Sequence, residues 1–198
     1  MSSEALLEYW FGTDVDDSVV ASTKAGLWWK SDPAVDDDLR KRFADLVEKA
    51  GRNELGEWAS TPRGLLALIL LSDQLPRNIH RNTPRAFAFD SIARAHCRDG
   101  IALGFDTRLR PIERVFHYLP LEHSESLADQ DDSVRLFSDL AHDAGPETKE
   151  LFAGYQRFAE RHHEIIERLG RFPHRNRILG RVSTAEEIAF LQTPGSSF

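Results

Sequence analysis

Arginine side chains are concentrated in two short, proline-containing segments of this chain. Residues 171–181, RFPHRNRILGR, contain four arginines and no acid, and residues 72–85 contain three arginines and one aspartate. The two segments therefore carry +4 and +2, while the whole chain carries −7 and the remainder must carry −13. Guanidinium groups bind carboxylates and phosphates through paired hydrogen bonds. This concentration predicts either a site for a small anion or a set of internal ion pairs.

The two arginine-rich segments share an order of residues. Each places an apolar residue and a proline before an Arg-Asn pair, which is Arg77-Asn78 in one segment and Arg175-Asn176 in the other. Proline fixes φ and asparagine favours turns, so we predict a turn after a helix end at both places. A turn does not require arginine, and the arginines therefore need a further role.

Asp73 follows a strongly apolar segment, residues 63–72, that predicts a helix buried on most sides. The helix dipole disfavours a carboxylate at a helix C-terminus, and a buried carboxylate needs a cationic partner. We therefore expect a structural ion pair between Asp73 and an arginine of 77–81 or 171–181.

Three further polar side chains lie on stripes that should face the core. His123 and Gln130 share a helical face with Leu127 and Val134, and His162 lies on the inner face of another helix. An inward histidine is usually a satisfied core residue, but a pocket shared with the arginine-rich turns is the alternative. The predicted ligand-binding residues are Arg77, Asn78, His123, Gln130, His162, Arg171, Arg175 and Asn176.

Acid–base chemistry is the form of catalysis that these residue types allow. His123, His162 or His174 would titrate, and Asp73 or Glu125 would orient the ring. Arginines would then hold an anionic substrate or stabilise developing negative charge. The sequence does not choose between catalysis and binding, so whether the chain is an enzyme stays open.

Other catalytic centres are poorly supported. Glu160 and His163 have the Glu-x-x-His spacing of carboxylate-bridged di-iron bundles, but the chain has no second copy of the motif. Cys97 is the single cysteine, and its neighbour His96 would point about 100° away on a helix. Neither a glycine-rich phosphate loop nor a Gly-x-Ser-x-Gly elbow occurs. We therefore predict no metal ion and no cofactor.

Helical periodicity runs through almost the whole chain, and no stretch alternates as a strand does. Apolar spacing, start signals and stop signals predict helices around 35–47, 63–72, from 83 onward, 111–118, 124–142, 145–170 and 183–191. Pro120 is expected to end the fourth of these helices, and Phe158 is expected on the inner stripe of the sixth. We predict one all-α domain over residues 1–198, with roughly eight helices packed as hairpins and a frayed tail at 193–198.

Composition limits the classes of partner. With 41% hydrophobic and 29% charged residues, the chain is typical of a globular protein. Its acidic balance argues against nucleic-acid binding, and its longest apolar run, 64–71, is too short to span a membrane. The N-terminus lacks the basic region of a signal peptide, and a single cysteine fits a reducing compartment. We expect a soluble, cytoplasmic protein.

Six segments together carry a family resemblance. They are EYWFG, WWKSDPAVDDDLRKRF, LLALILLSDQLPRNIHR, AFAFD, YLPLEHSESLADQ and RHHEIIERLGRFPHRNRILGR, in this order over nearly the whole chain. In these segments the chain resembles the bacterial domain-of-unknown-function 924 family, with departures at Leu75, where the family favours phenylalanine, and at Asn82, where glycine is frequent. The resemblance implies a tetratricopeptide-like helical fold and transfers no activity or catalytic residue.

A non-catalytic adaptor is the second class of function. Stacks of helical hairpins bind peptides on a concave face. If the chain is an adaptor of this kind, its basic turns would bind an acidic segment of a protein partner. Trp10, Trp28 and Trp29 would serve either as anchors for that partner or as contacts that close the N-terminal helices on the body. The partner is therefore a small phosphate- or carboxylate-bearing ligand or an acidic protein segment, and the oligomeric state is not predicted.

Overall fold

Helices provide all the regular structure of residues 1–196, the part of the chain that the computed structural model describes. The fold is all-α, as predicted, and no helix in this range is both long and apolar enough to cross a bilayer. Ser197 and Phe198, the end of the tail predicted to fray, lie outside the described residues. The ten α-helices of residues 1–196 are α1 (Ser3–Phe11), α2 (Asp17–Trp29), α3 (Pro33–Gly51), α4 (Pro62–Ser72), α5 (Gln74–Ile79), α6 (Asp90–Ala102), α7 (Pro111–Glu122), α8 (Leu127–His142), α9 (Lys149–Leu169) and α10 (Ala185–Leu191).

Helix α4 lies at the centre of the fold. Its N-terminus is capped by Thr61, whose hydroxyl accepts a hydrogen bond from the Gly64 N–H at 3.1 Å. Residues 64–72 are all buried, since α4 packs against α1, α3, α6 and α7. Gly64 is required there because a Cβ would collide with the carbonyl of Trp58. A helix that is apolar all round is stable only when it is enclosed in this way.

The apolar core has two parts of unequal size. The main cluster runs from Leu6 in α1 to Ala159 in α9, and each of the helices α1 to α9 contributes side chains to it. Helix α5 contributes its apolar side chains, Leu75 and Ile79. A smaller cluster of Ile165, Ile166 and Phe172 covers the end of α9 and the turn beyond it. Because this second cluster is small, polar contacts must contribute much of the attachment of the C-terminal segment.

Helix α7 passes through Pro120, whereas the sequence predicted an end before that residue. Proline inside a helix costs ~3 kcal/mol because it removes a hydrogen bond and clashes with the preceding turn. The last turn buries Tyr118, Leu119 and Leu121, and burying one such side chain contributes about 1.5–3 kcal/mol. Packing therefore outweighs the cost, and α7 ends at His123, whose N–H donates to the Leu119 carbonyl at 2.8 Å.

Two other predicted boundaries were wrong. The helix predicted to start at Thr83-Pro84 is a short 3-10 turn over Pro84–Phe87, and the α-helix begins only at Asp90. The turn predicted in residues 73–81 is instead the two-turn helix α5, because its proline lies in the first turn, where its missing N–H removes no helical bond. The chain thus bends twice around α4 before it enters α6.

Two side chains predicted to face the core are exposed. Leu127 is 44% exposed because it is the first residue of α8, where the helix begins outside the packed region. Phe158 is 55% exposed because the buried stripe of α9 passes through Phe152, Ala159 and His162, about one residue away from the predicted stripe. His162 is buried as predicted.

Candidate functional site

Asp73 lies at the break between α4 and α5 with its carboxylate fully buried. Its Oδ1 is 3.1 Å from Arg77 Nη1, and Gln74 Nε2 donates to Oδ2 at 2.5 Å. His123 Nδ1 is 2.8 Å from Oδ1 and 3.0 Å from Oδ2. Burial alone would raise the pKa of Asp73, but the charge of Arg77 and the contact with His123 hold this pKa well below its usual range. Asp73 is therefore an ionised, fully anchored carboxylate.

Arg77 links the end of α4 to the start of α6. Its Nη1 and Nη2 donate to the two carboxylate oxygens of Asp90 at 2.9 and 3.1 Å, and Nη1 also donates to the Asp73 carbonyl at 2.8 Å. The bidentate geometry fixes the plane of the guanidinium group. Arg77 therefore divides its charge between two carboxylates.

The guanidinium group of Arg175 lies against two aromatic rings. The central carbon lies 4.9 Å from the ring centre of Phe87 and 4.4 Å from that of Phe172. Nη1 donates to the His123 carbonyl at 3.0 Å, and the carboxylate of Asp90 is 3.7 Å away. Within the described residues, the buried Nε has no hydrogen-bond partner. Burial lowers the pKa of Arg175 to about 10, and the nearby charge of Arg77 acts in the same direction.

Glu122 and His162 face each other in a buried, uncharged contact. Glu122 Oε1 is 3.2 Å from His162 Nδ1, which is also 2.8 Å from the Phe158 carbonyl. Burial, with a contribution from the charge of Asp73, raises the pKa of Glu122 to about 8. Burial lowers the pKa of His162 to about 3. The distance fits an ion pair, but these pKa values keep both groups neutral at pH 7.

These side chains form one connected group at the junction of α4, α5, α6, α7 and α9. We name it the central cluster, and its members are Asp73, Arg77, Asp90, Glu122, His123, His162 and Arg175.

Gln130 supports the central cluster from α8. Its Nε2 donates to three carbonyl oxygens at the end of α7, those of Leu121 (3.3 Å), Glu122 (2.6 Å) and Ser124 (2.7 Å). The last carbonyls of a helix lack partners within the helix, and one amide group satisfies several of them here. Gln130 therefore fixes the backbone that carries Glu122 and His123.

A second polar network, which we name the C-terminal clamp, joins the segment 171–187 to itself and to Glu125. Arg171 donates to both carboxylate oxygens of Glu187 at 2.5 and 2.9 Å, and Asn176 donates to Glu187 at 3.3 Å. Arg181 donates to both oxygens of Glu125 at 2.6 and 2.9 Å. The hydrogen bond from Arg171 lowers the pKa of Glu187 to about 2. The clamp consists of satisfied acid–base pairs.

A third network connects α5 to α3. Asn78 Nδ2 donates to Asp36 Oδ1 at 3.0 Å, and Arg81 donates to both oxygens of the same carboxylate at 2.7 and 2.8 Å.

The structure divides the eight predicted site residues among these places. Arg77, His123, His162 and Arg175 belong to the central cluster, and Gln130 supports it. Asn78 binds Asp36, while Arg171 and Asn176 belong to the C-terminal clamp. In each Arg-Asn pair the two side chains diverge, because neighbouring residues of a helical turn point about 100° apart. His123 also lies at the end of α7 rather than on the predicted face of α8.

Sequence reasoning missed two members of the central cluster, Asp90 and Glu122. Asp90 is the first residue of α6, a position where an acid is ordinarily explained by the helix dipole. Glu122 precedes His123 directly, and an acid next to a proline-containing helix end gave no sign of burial. Only the passage of α7 through Pro120 carries Glu122 into the interior.

Two surface cavities lie away from the central cluster. One, of about 340 Å³, has among its lining residues Glu4, Arg63 and Arg110. The other, of about 350 Å³, is lined partly by Glu160 and His163. In the part of the chain that the structure describes, no group of three or more His, Cys, Asp or Glu side chains is arranged to hold a metal ion. Burial and charge, rather than cavity size, therefore single out the central cluster.

An all-helical chain with two Arg-Asn pairs, each preceded by a proline and each with its arginine beside a buried Asp–His pair, is the class of protein that these observations define. The chain belongs to a family described as bacterial proteins of unknown function (DUF924), whose model matches residues 6–195. The solved structure of a protein of unknown function from Agrobacterium tumefaciens is similar to it, with 36% identity and a TM-score of 0.75 over 89% of this chain and 99% of that one. No curated protein matches the chain.

Proposed function

We propose that this protein binds a small anionic metabolite, bearing a carboxylate or a phosphate, at the Arg175 edge of the central cluster. The observation that carries the proposal is the state of Arg175, whose side chain is buried while its Nε has no hydrogen-bond partner within residues 1–196. Buried charges are normally paired and hydrogen-bonded, so a buried cation with an unused donor favours an anion.

The carboxylates near Arg175 compensate its positive charge only in part. Asp90 makes its two short hydrogen bonds to Arg77, and its distance of 3.7 Å from Arg175 Nη1 is longer than either of them. Burial and the charge of Arg77 lower the pKa of Arg175, and the nearby carboxylates only partly oppose this effect. A bound carboxylate or phosphate would supply that charge and accept the unused N–H.

The surroundings of Arg175 suit an ordered ligand. The rings of Phe87 and Phe172 both lie against the guanidinium group, so little side-chain freedom is lost when a planar or tetrahedral anion binds its edge. Nearby, the His123 and Arg77 side chains remain 15% and 19% exposed. The cluster thus reaches solvent on the side of these two residues.

The alternative function, in which a tetratricopeptide-like stack binds an acidic protein segment, has weaker support. It requires the basic turn at 171–181 to present its arginines to a partner. Arg171 and Arg181 instead make bidentate pairs with Glu187 and Glu125. These contacts favour a small anion at Arg175 over an acidic segment laid across the turn.

A thermal-shift measurement tests the binding proposal. The probes are inorganic phosphate, pyruvate and dihydroxyacetone phosphate, and the proteins are wild type, Arg175→Gln and the control Arg177→Ala, which changes an exposed arginine of the same turn. A ligand at 100 times its Kd adds about 2.7 kcal/mol, or roughly 5–10 °C in Tm for a chain of this size. We expect this rise in wild type and Arg177→Ala and its loss in Arg175→Gln.

The opposite result has a clear meaning. If none of the three anions raises the Tm of the wild type, and Arg175→Gln lowers the Tm of the unliganded protein, Arg175 only fastens the C-terminal turn to α7. A rise in Tm that is the same in Arg175→Gln would place anion binding elsewhere and would also reject the proposal.

A further inference from the structure

His123 donates a hydrogen bond to Asp73, and the surroundings of Asp73 fix His123 as the donor. Asp73 is ionised and anchored by Gln74 and Arg77, so His123 Nδ1, at 2.8 and 3.0 Å from its oxygens, must be the donor. Nε2 then carries the lone pair. Burial lowers the pKa of His123 while Asp73 opposes this effect, so the ring is neutral at pH 7. A carboxylate that orients a neutral imidazole and stabilises its protonated form is the arrangement of a general base.

Glu122 supplies the complementary acid. The Glu122 side chain is 6% exposed, and its partner within the described residues is the neutral His162 at 3.2 Å, so no cation stabilises its ionised form. With its pKa raised to about 8 by burial and by Asp73, Glu122 carries its proton at neutral pH. Titratable groups whose surroundings push their pKa values apart are typical of acid–base pairs.

The base, the acid and the guanidinium group of Arg175 lie close together. Glu122 and His123 are consecutive at the end of α7, where Gln130 fixes their backbone. Arg175 Nη1 binds the carbonyl of His123 at 3.0 Å. The His123 ring lies 6.3 Å from the ring of His162, which contacts the Glu122 carboxyl. A small molecule held by Arg175 would therefore lie beside both groups.

We propose that this site catalyses proton transfer on its anionic ligand, with His123 as the base and Glu122 as the acid. His123 Nε2 removes a proton from the carbon next to a carbonyl group, and the electron pair of that C–H bond forms the carbon–carbon double bond of an enol. The carbonyl π electrons take the proton of Glu122. The reverse step returns a proton to carbon, so the cycle needs no oxidant, reductant or co-reactant. The substrate class is a small carbonyl compound bearing a carboxylate or phosphate, and the proposal rests on the proposed binding at Arg175.

Exchange of carbon-bound hydrogen with D₂O, followed by NMR, tests the proposal directly. The probes are pyruvate and dihydroxyacetone phosphate, the smallest carboxylate and phosphate of this kind in the binding screen. We expect the wild type to exchange one of them faster than buffer alone. His123→Asn and Glu122→Gln should each reduce the enzyme-dependent rate by about 100-fold or more, the contribution of a general acid or base. Arg177→Ala should exchange like the wild type.

Binding and catalysis fail in different ways. If a probe raises the Tm of the wild type but its protons do not exchange, or exchange equally in His123→Asn and Glu122→Gln, proton transfer is rejected and binding stands. If neither probe raises the Tm and neither exchanges, both proposals fall. Should His123→Asn not fold, Glu122→Gln decides alone, because its amide replaces a carboxyl group that is already uncharged in the native protein.

Discussion

Arg77 and Arg175 approach the same carboxylate from distant parts of the chain, and they share it unequally. Arg77 binds both oxygens of Asp90 at 2.9 and 3.1 Å, whereas Arg175 is 3.7 Å from one of them. The two arginines occupy corresponding positions in the two Arg-Asn pairs. Arg77 therefore completes its ion pair, whereas Arg175 retains a buried Nε that has no hydrogen-bond partner within residues 1–196.

Loss of the Asp73 carboxylate should destabilise the fold. Asp73→Ala removes one of the two carboxylates that compensate partly buried Arg77 and the acceptor for His123, so we expect a loss of about 3–5 kcal/mol in the free energy of unfolding. Urea denaturation followed by circular dichroism measures this change. Asp37→Ala is the control, since it removes an exposed carboxylate paired with Lys41. An unchanged midpoint for Asp73→Ala would contradict the assigned role.

The unfolding free energy should depend on pH through Glu122. Its folded pKa of about 8 lies above the value of about 4.3 for an unfolded chain, so the folded state holds the proton more tightly between these values. This contribution is fully present below about pH 4.3 and is lost as the pH rises through 8. Asp73, His123, His162 and Arg175 surround the group, and none of them reverses this direction.

Glu122→Gln isolates that effect. The amide cannot ionise, so we expect the variant to gain a few kcal/mol relative to the wild type between pH 5 and pH 8, since one pKa unit corresponds to about 1.4 kcal/mol. Denaturation midpoints of both proteins at several pH values provide the measurement. Parallel pH profiles for wild type and variant would show that Glu122 ionises normally in the folded protein.

Proton exchange at the central cluster should follow a bell-shaped pH profile. The rate rises as His123 loses its proton on the acidic side and falls as Glu122 ionises near pH 8. In Glu122→Gln the fall on the alkaline side should disappear along with most of the rate. The profile is obtained from the same D₂O experiment at a series of pH values. A wild-type rate that keeps rising above pH 9 would exclude Glu122 as the acid.

The C-terminal clamp should control the attachment of α10 without affecting the main core. Arg171→Ala removes both hydrogen bonds to Glu187, so hydrogen exchange in 185–191 should become several-fold faster while α4 keeps its protection. Arg168→Ala is the matched control, because its pair with Glu186 is exposed at both ends. Equal effects of the two variants would show that the clamp pair contributes no more than an ordinary surface pair.

The all-α fold and the burial of α4 could be predicted because both depend on local pattern. Residues 64–72 are apolar on every side, and no other packing suits such a helix. The prediction that a helix ends before Pro120 was wrong. The local cost of a proline could be seen in the sequence, but the burial of Leu121 and its neighbours could not. Predicted helix boundaries are wrong where the free energy of long-range packing outweighs the local preference of the sequence.

The candidate site could be predicted only in part, for a geometric reason. Charge concentration identified Arg77 and Arg175, and the misfit of Asp73 at a helix end identified the need for a partner. Sequence order could not show that Asn78 and Asn176 point away from the arginines beside them. Nor could it reveal that Glu122 is buried without a cation, because that follows from the meeting of α7 with α9.

The contact between Arg175 and the His123 carbonyl has a consequence for how the protein is made. Residues up to Ala159 supply the main apolar core, so the chain can collapse around α4 before the segment that begins at residue 171 has docked. Asp73, His123 and Glu122 would then be assembled while the guanidinium group is still missing. Arg175 joins the central cluster only when this late segment docks, so its contact with the His123 carbonyl distinguishes the completed fold from the collapsed chain.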